Sequence, residues 1–479
     1  MRSLHIFRQD LRVQDNTSLL ETAKQSKELL PVFIFDRLVL DHFPDRDARL
    51  GFLVRTLQSL RKQLQEIWSD LYVFYGKSTE IVAHLLKTYE FDHVSWNRSY
   101  GRNSRERDNQ IKWSCNTLGV SYQEHDDYLL AEPYDIKPMK VFSPYYRRWL
   151  RHPKRWDLLE AKELPWLPHI ITQLSQESAR IDLNNDQSDI LNRIWWTDTP
   201  YRTVDLQPTR LRNIDMSNYP TDRNRPDLEG TSRMSPYIRH GLLSPRQILQ
   251  EVVDTNLPWV TIEGWMITMN DKIFTNTYVS ELAWREFRQQ TAEHFPYSRN
   301  DAFLEKYQNL KRVNNKDWFK RWQDGTTGYP IVDAWMRELK ATWWMHGRTR
   351  MIVASFLTKD LLIDRRRWRD HFKNYLLDHD ENVNNWNWQW SASVGADPKP
   401  LRIFNPILQS QKYDPKGDYI RRRVPELANR HDKAIHDPIK YTLNEYYEPV
   451  VDHYVTSKYA KEIYYKNDEL SEGLKKLYM

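Results

Sequence analysis

Residues 1–36, MRSLHIFRQDLRVQDNTSLLETAKQSKELLPVFIFD, decide the fold class. Leu4–Phe7 and Leu30–Phe35 are apolar runs of strand length, and Asn16–Ser26 between them has helical length and spacing. Strand, helix and strand in so short a span make a crossover unit, whose two strands lie parallel. The alternation continues: Leu71–Tyr75, His93–Trp96 and Ser121–His125 read as strands, and Asp47–Trp68, Thr79–Tyr89 and Asn103–Leu118 as helices. Five strands separated by four helices predict an α/β domain with a doubly wound, five-stranded parallel sheet over residues 1–130. Ligands of such sheets sit beyond the carboxyl ends of the strands, which points to the turns after Phe7, Phe35 and Trp96. No G-x-G-x-x-G follows the first strand, so the usual dinucleotide fingerprint is absent.

Working outward, residues 131–200 break into Pro-punctuated segments, AEPYDIKPMKVFSPYYRRW and ELPWLPHI, which read as a long linker over the surface of the body. Strand signals nearly vanish after that. Ser244–Val253, Asn270–Arg288, Ile331–Glu338, Gly347–Asp360 and Arg366–Leu377 have helical length and spacing, and residues 201–479 read as an all-α domain.

Composition narrows the function classes. The chain has 479 residues, length for about three domains. Its 13 glycines argue against collagen-like and Gly-rich phosphate-loop proteins. Cys115 is the single cysteine, which excludes a disulfide framework and any Cys-based zinc site, and no metal is expected. No apolar run reaches membrane-spanning length, and the start carries charges where a signal peptide has its apolar stretch. A soluble, cytoplasmic monomer without an obligate protein partner is the expectation. Net charge is +6, and residues 1–130 hold 18 basic and 18 acidic side chains, so the excess falls in the remainder. A nucleic-acid surface is therefore sought near Arg147, Arg148, Arg151, Lys154 and Arg155, near Arg365, Arg366, Arg367 and Arg369, or near Arg421, Arg422 and Arg423. The ordinary alternative for each run is a solvated helix face. Twenty tryptophans, many in the last third, are unusual for so polar a chain.

The helical half carries the chemistry-bearing motifs. GTSRMSPYIRHGLLSP (230–245) sets Thr231, Ser232 and Ser235 around Arg233 just before a helix, a pattern suited to a diphosphate or to plain N-capping. ELAWREF (281–287) puts Glu281, Trp284 and Arg285 on neighbouring rows of one helix. Residues 324–364 place His346, Gly347, Arg348, Arg350 and Met351 together, and residues 378–406 place Asp378, Asp380 and Asn384 ahead of Trp386, Trp388 and Trp390. The alternating tryptophans fit a strand or an irregular helix end.

Taken together, GTSRMSP, ELAWREF, TGYPIVDAWMREL, WMHGRTRMIVASFLTKDLLID, NWQWSAS and RIFNP resemble the photolyase/cryptochrome family, in family order and spacing over essentially the whole chain. The nearest branch in pattern is the bacterial-type photolyases for cyclobutane pyrimidine dimers. The resemblance implies an α/β antenna domain, a linker and a helical FAD-binding catalytic domain, with reduced FAD driving light-dependent repair of UV-damaged DNA. By residue, Tyr219, Thr231, Ser232, Arg233 and Ser235 match positions that hold the FAD phosphates. Arg285 and Arg350 match arginines near the flavin, Asp378 and Asp380 the pair by the ribose and ring, and Asn384 the residue facing the redox-active nitrogen. Glu281, Trp284, Met351 and Trp390 match the lesion pocket, with Gly347, Arg348 and Arg402 in the DNA-facing set, and Trp388 matches the electron-transfer tryptophan next to the flavin. A flipped-out lesion costs a few kcal/mol to unstack, which aromatic faces offset at about 1–3 kcal/mol per base.

Three positions depart from the family pattern. Arg365 and Arg312 stand where two further electron-transfer tryptophans are usual, Gly347 stands where asparagine is usual in the lesion pocket, and Ser104 replaces the glutamate that pairs with Asn103 in folate-binding relatives. Ser104 argues against folate and leaves a deazaflavin, a second flavin or no antenna chromophore. The alternative reading is a cryptochrome-like blue-light photoreceptor without repair activity, against which the chain's end at Met479 leaves no extended regulatory tail.

Overall fold

A computed structural model describes residues 1–40, 47–165, 171–177, 180–181, 183, 213–254, 260–263, 266–269, 276–396, 401–431 and 433–466. The chain divides into two compact units: Met1–Lys137 with Tyr146–Asn213 and Arg233–Glu286, and Pro138–Tyr145 with Ile214–Ser232 and Phe287–Met479.

The first unit is built on a six-stranded sheet in the order β5-β4-β1-β2-β3-β7. Strands β1 (Arg2–Phe7), β2 (Glu28–Asp36), β3 (Tyr72–Gly76), β4 (His93–Asn97) and β5 (Ser121–His125) are mutually parallel. Helices α1 (Thr17–Gln25), α2 (Ala48–Glu66), α3 (Ser78–Tyr89) and α4 (Arg102–Leu118) are the crossovers. The period-two alternation of the strands splits the core in two. Phe7, Leu29, Phe33, Phe35 and Val73 pack on α2 through Leu50, Val54, Leu57 and Leu60. Leu4, Ile6, Leu30, Val32 and Phe74 pack on Val82 and Leu85 of α3 and on Ile111 and Cys115 of α4. Local chemistry sets the ends: Asn16 accepts from Leu19 N at 3.1 Å, Asp47 from Arg49 N at 2.8 Å, and Gly119 closes α4 at φ 70°.

Elements appear beyond the five strands and four helices expected. After β6 (Lys154–Arg155), a short β7 (Arg180–Ile181) adds antiparallel to β3 as a sixth strand. The hairpin β8 (Val260–Glu263) and β9 (Met266–Met269) forms a second sheet with β6, where strand signals nearly vanish in the sequence. Residues 142–151, read as surface connection, form helix α5 (Phe142–Arg151), and its Tyr145, Tyr146, Trp149 and Leu150 are at most 1% exposed. That corrects the surface reading: alternating basic and aromatic residues wrap one buried face. The expected helix over 244–253 is α6 (Pro245–Asp254), and the one expected from Asn270 is α7 (Thr277–His294); residues 270–275 lie outside the described residues.

The second unit is helical: α8 (Lys316–Asp324), α9 (Pro330–Thr342), α10 (Gly347–Ser355), a π-helical turn Phe356–Asp360, α11 (Arg365–Tyr375) and α12 (Glu381–Ser391). Its core gathers Trp322, Tyr329, Trp335, Val353, Phe356, Leu357, Phe372 and Trp388. The TGYP turn into α9 is organised by buried Asp333, which accepts from Thr327 N, Thr327 Oγ1, Gly328 N and the Tyr446 hydroxyl. Gly328 is required there: φ is +83° and a Cβ would lie 2.4 Å from Glu448 O. No helix among the described residues is long and apolar enough to cross a membrane.

Candidate flavin and lesion site

In the second unit, α12 carries the decisive side chains. Asp380 caps it, accepting from Val383 N at 2.9 Å, and its other oxygen accepts from Gln289 Nε2 at 2.8 Å. Gln289 in turn accepts from Asn382 Nδ2 at 2.7 Å. Asn384 and Trp388 stand one turn apart on the same row, and Trp388 Nε1 donates to Asn384 Oδ1 at 2.9 Å. That bond fixes the Asn384 amide. Its Nδ2 is buried and has no hydrogen-bond partner among the described residues, so the site holds a donor aimed at an acceptor that the side chains do not supply.

Helix α10 supplies the charge. His346 accepts from Arg348 N at 3.1 Å and so starts the helix. Arg350 forms a two-pronged pair with Asp378 at 3.1 and 2.8 Å and donates to Met345 O at 2.8 Å. The Asp378 carboxylate is only 5% exposed, and this bidentate geometry is what keeps it compensated. Arg348 bonds to Asn224 and lies 5.0 Å from the Tyr413 ring. Gly347 is exposed, and a Cβ at that position would have nothing within 4 Å. Met351 and Trp390 are half-buried, and the Arg402 guanidinium lies 5.0 Å from the Trp390 ring centroid. Tyr219 opens the short helix Tyr219–Asp222 and is buried, Ser232 is buried, and Thr231 is half-buried.

The alternating tryptophans are helical, which settles the strand-or-helix alternative. Trp386 and Trp388 turn into the core and Trp390 does not. Trp388 packs edge-on against Phe372 at 5.0 Å, and Phe372 lies 6.2 Å from Trp322. Arg365 is 5% exposed and donates to Asn385 Oδ1, Asn300 O and Asp301 O at 3.1, 3.0 and 2.8 Å. Burial pulls its guanidinium down to about 10, still cationic at neutral pH. Arg312 lies 5.6 Å from the Tyr464 ring.

In the first unit, Glu281, Trp284 and Arg285 of α7 are all half-buried. Arg285 donates to Tyr128 O at 3.0 Å and lies 4.0 Å from the Tyr128 ring centroid. The neighbouring Glu286, 1% exposed, accepts from Leu130 N, Ala131 N and Trp149 Nε1, which explains the acidic residue after Arg285 in the motif. Arg233 sits in the left-handed region at φ 53°, an uncommon conformation for a side-chain-bearing residue that it shares with Asp15, Glu90 and Ser393, among others. The helix Ser235–His240 begins at exposed Ser235, and its N-cap is Met234 with no side-chain cap bond, so N-capping does not explain that run of hydroxyls.

Beyond the strand ends of this unit, Asn97 Nδ2 donates to Asp10 Oδ2 at 2.6 Å and to Asn16 Oδ1 at 2.8 Å, joining the turns after β1 and β4. A narrow crevice there is lined by Gln9, Arg98, Ser99, Tyr128, Ile238 and Leu243. Buried Asp127 is held well below the usual carboxylate range: desolvation would raise it, but Arg12 and Arg246 overcome that.

The basic runs need correction. Lys154 is 1% exposed, donates to Trp149 O and His152 O, and is pulled down to about 7 by burial, so it is not a surface cation. Arg155 pairs with Asp15, Arg365 is buried, and Arg423 pairs with Glu338. Arg147, Arg148, Arg151, Arg367 and Arg422 are exposed. Sequence reasoning missed Gln289, Asn224 and Lys359. Gln289 follows Arg285 by four residues on α7, the one signal that would have found it; Lys359 was visible as a cation inside the apolar run 351–363.

With this geometry in view, residues 3–166 match the family model described as DNA photolyase, and residues 278–466 match the FAD binding domain of DNA photolyase. A deoxyribodipyrimidine photo-lyase from Synechococcus sp. is 33% identical over 473 residues, covering 95% of each chain. Among solved structures, an archaeal photolyase from Sulfolobus tokodaii containing two FAD molecules superposes with TM-score 0.84 at 29% identity over 98% of this chain and all of that one. A bacterial class III photolyase from Agrobacterium tumefaciens gives TM-score 0.82 at 28% identity over 99% and 98%. The chain belongs to the DNA photolyase family.

Proposed function

We propose that this protein is a light-driven deoxyribodipyrimidine photo-lyase that repairs cyclobutane pyrimidine dimers with FAD. The observation that carries the reading is Asn384: a neutral amide, fixed by Trp388, whose buried donor has no partner among the described residues. An amide rather than a carboxylate there is compatible with an electron-rich, reduced ring beside it. Arg350 with Asp378, and Asp380 with Gln289, present hydrogen-bonding groups suited to the polar edge of the cofactor. Tyr219, Thr231, Ser232, Arg233 and Ser235 are assigned to the diphosphate and Arg285 to the flavin. When bound in its reduced form, FAD would supply the light-driven electron that opens the cyclobutane ring and would take it back once the ring is open, so that the repair is redox-neutral overall.

The protein's own contribution is recognition and order. Trp284 and Trp390 offer aromatic faces to a flipped-out dimer, Met351 fills the apolar wall, and Glu281 accepts or donates at the pyrimidine carbonyl and imide edge. Gly347, Arg348 and Arg402 take the surrounding DNA, and Trp388 relays electrons toward the flavin. Residues 1–130 are assigned as an antenna domain, 131–200 as linker and 201–479 as the catalytic domain; the two FAD molecules in the Sulfolobus tokodaii relative favour a second flavin over folate as the antenna. Several relatives bear the photo-lyase name across most of the chain, which favours repair over a photoreceptor role.

The test is a dark-to-light binding measurement. Reduced protein is bound in darkness to a fluorescent oligonucleotide bearing one thymine dimer, then illuminated with blue light. Release on illumination, absent with Glu281→Ala at unchanged flavin content, supports the proposal; a complex that survives illumination contradicts it.

A further inference from the structure

Lys359 lies on the π-helical turn Phe356–Asp360 and is 1% exposed. Such turns insert one extra residue into a helix and re-aim side chains, here a cation into the core. Its ammonium donates to Ser391 O at 2.5 Å, to Ser393 Oγ at 2.9 Å and to Arg402 O. A buried ammonium is costly unless its donors are used, and here all three go to the end of α12, to the turn just after it, or to Arg402. A cation at a helix carboxyl end also complements the helix dipole. Ser393 takes φ 55°, unfavourable for a residue with a side chain, and its hydroxyl accepts from both Lys359 and Arg402 N, the latter at 3.2 Å. One cation therefore ties together the last turn of α12, which carries Trp390, and the backbone of Arg402, whose guanidinium lies against the Trp390 ring.

We propose that Lys359 is a positioning residue that fixes the Trp390–Arg402 pair as a rigid surface for the damaged base. This rests on the reading above that Trp390 and Arg402 face the lesion.

The experiment compares wild type, Lys359→Met, Arg402→Ala, the double variant of these two and Trp390→Ala, each as flavin-loaded protein. Hydrogen exchange reads the backbone over residues 391–396 and 401–404, and binding to dimer-containing and undamaged oligonucleotides reads discrimination. Lys359→Met is expected to speed exchange in those stretches tenfold or more without changing α7, and to lower discrimination at least fivefold at unchanged flavin content. In the Arg402→Ala background the same change should cost less than twofold, because a residue acting through the pair has nothing left to position. Equal losses in both backgrounds, or unchanged exchange over 391–396 and 401–404, overturn the proposal. If Lys359→Met does not fold, Ser393→Ala removes the shared acceptor alone and is held to the same two outcomes. Faster exchange with discrimination indifferent to both Trp390→Ala and Arg402→Ala would uphold the staple and instead refute the lesion-facing reading.

Discussion

Gly347→Asn is the perturbation whose outcome the structure constrains most tightly. Gly347 is the first residue of α10, exposed, with no atom within 4 Å of where a Cβ would stand and no left-handed φ, so a side chain enters open space without strain. Removing glycine's freedom in the unfolded chain at such a site stabilises by about 0.4–1 kcal/mol. Because His346 already caps the helix through Arg348 N at 3.1 Å, the new amide does not compete for that bond and, on the proposed lesion-facing assignment of this position, is left for DNA. One added hydrogen bond is worth roughly 0.5–1.5 kcal/mol, or about 2- to 13-fold in affinity. The assay is paired: thermal unfolding of the flavin-loaded protein, and fluorescence anisotropy with a dimer-containing oligonucleotide at fixed salt. Gly347→Ala is the control that should gain the stability and none of the affinity. Equal affinities for the Ala and Asn variants, or a lower unfolding temperature for either, would refute the reasoning.

Arg365→Trp should destabilise by about 2–4 kcal/mol in urea unfolding, because Asn385 Oδ1, Asn300 O and Asp301 O lose a buried donor together; a neutral result would mean these acceptors find other partners. Trp388→Phe should slow light-driven flavin reduction at least tenfold by absorbance while chemically reduced protein still repairs, since the indole that holds Asn384 and faces Phe372 is gone. His371, whose Nδ1 lies 3.2 Å from Gln323 Nε2, is pushed down to about 4 by burial and then by Lys340. Its folded value lies below its unfolded value of about 6.5, so the unfolded chain takes up a proton that the fold refuses, and stability falls as pH drops from about 6.5 to 4. The loss attributable to it is up to about 3 kcal/mol, and His371→Gln should flatten that part of a denaturation-versus-pH curve.

The parallel sheet was legible because its strands are dense apolar runs and its crossovers have clear helical spacing; ends such as those of α1 and β5 fall within a residue of expectation. What escaped the sequence depends on pairing or burial rather than on local pattern. Two-residue β7 exists only because β3 offers it an edge, and the strands of the β8–β9 hairpin are four residues each, so the alternation of Val260–Glu263 is too short to stand out and Met266–Met269 does not continue it. Helix α5 was hidden by Pro144, which punctuates a loop in sequence but is tolerated in the first turn of a helix. At the candidate site, the motifs pointed to Asp378, Asp380, Asn384 and Arg350, yet the residues that hold or neighbour them, Gln289, Asn224 and Lys359, are ordinary polar or charged residues whose importance comes from what they touch. Charge runs misled most: Lys154 and Arg365 look like surface cations in sequence and are buried, each satisfied by backbone carbonyls.

The most direct test of the central claim is the number of thymine dimers left in DNA after illumination of the flavin-loaded, chemically reduced protein, counted by chromatography against a dark control. The account requires dimers to fall with light dose and to stay constant in darkness; dimers that persist under blue light, with FAD bound and fully reduced, would contradict it.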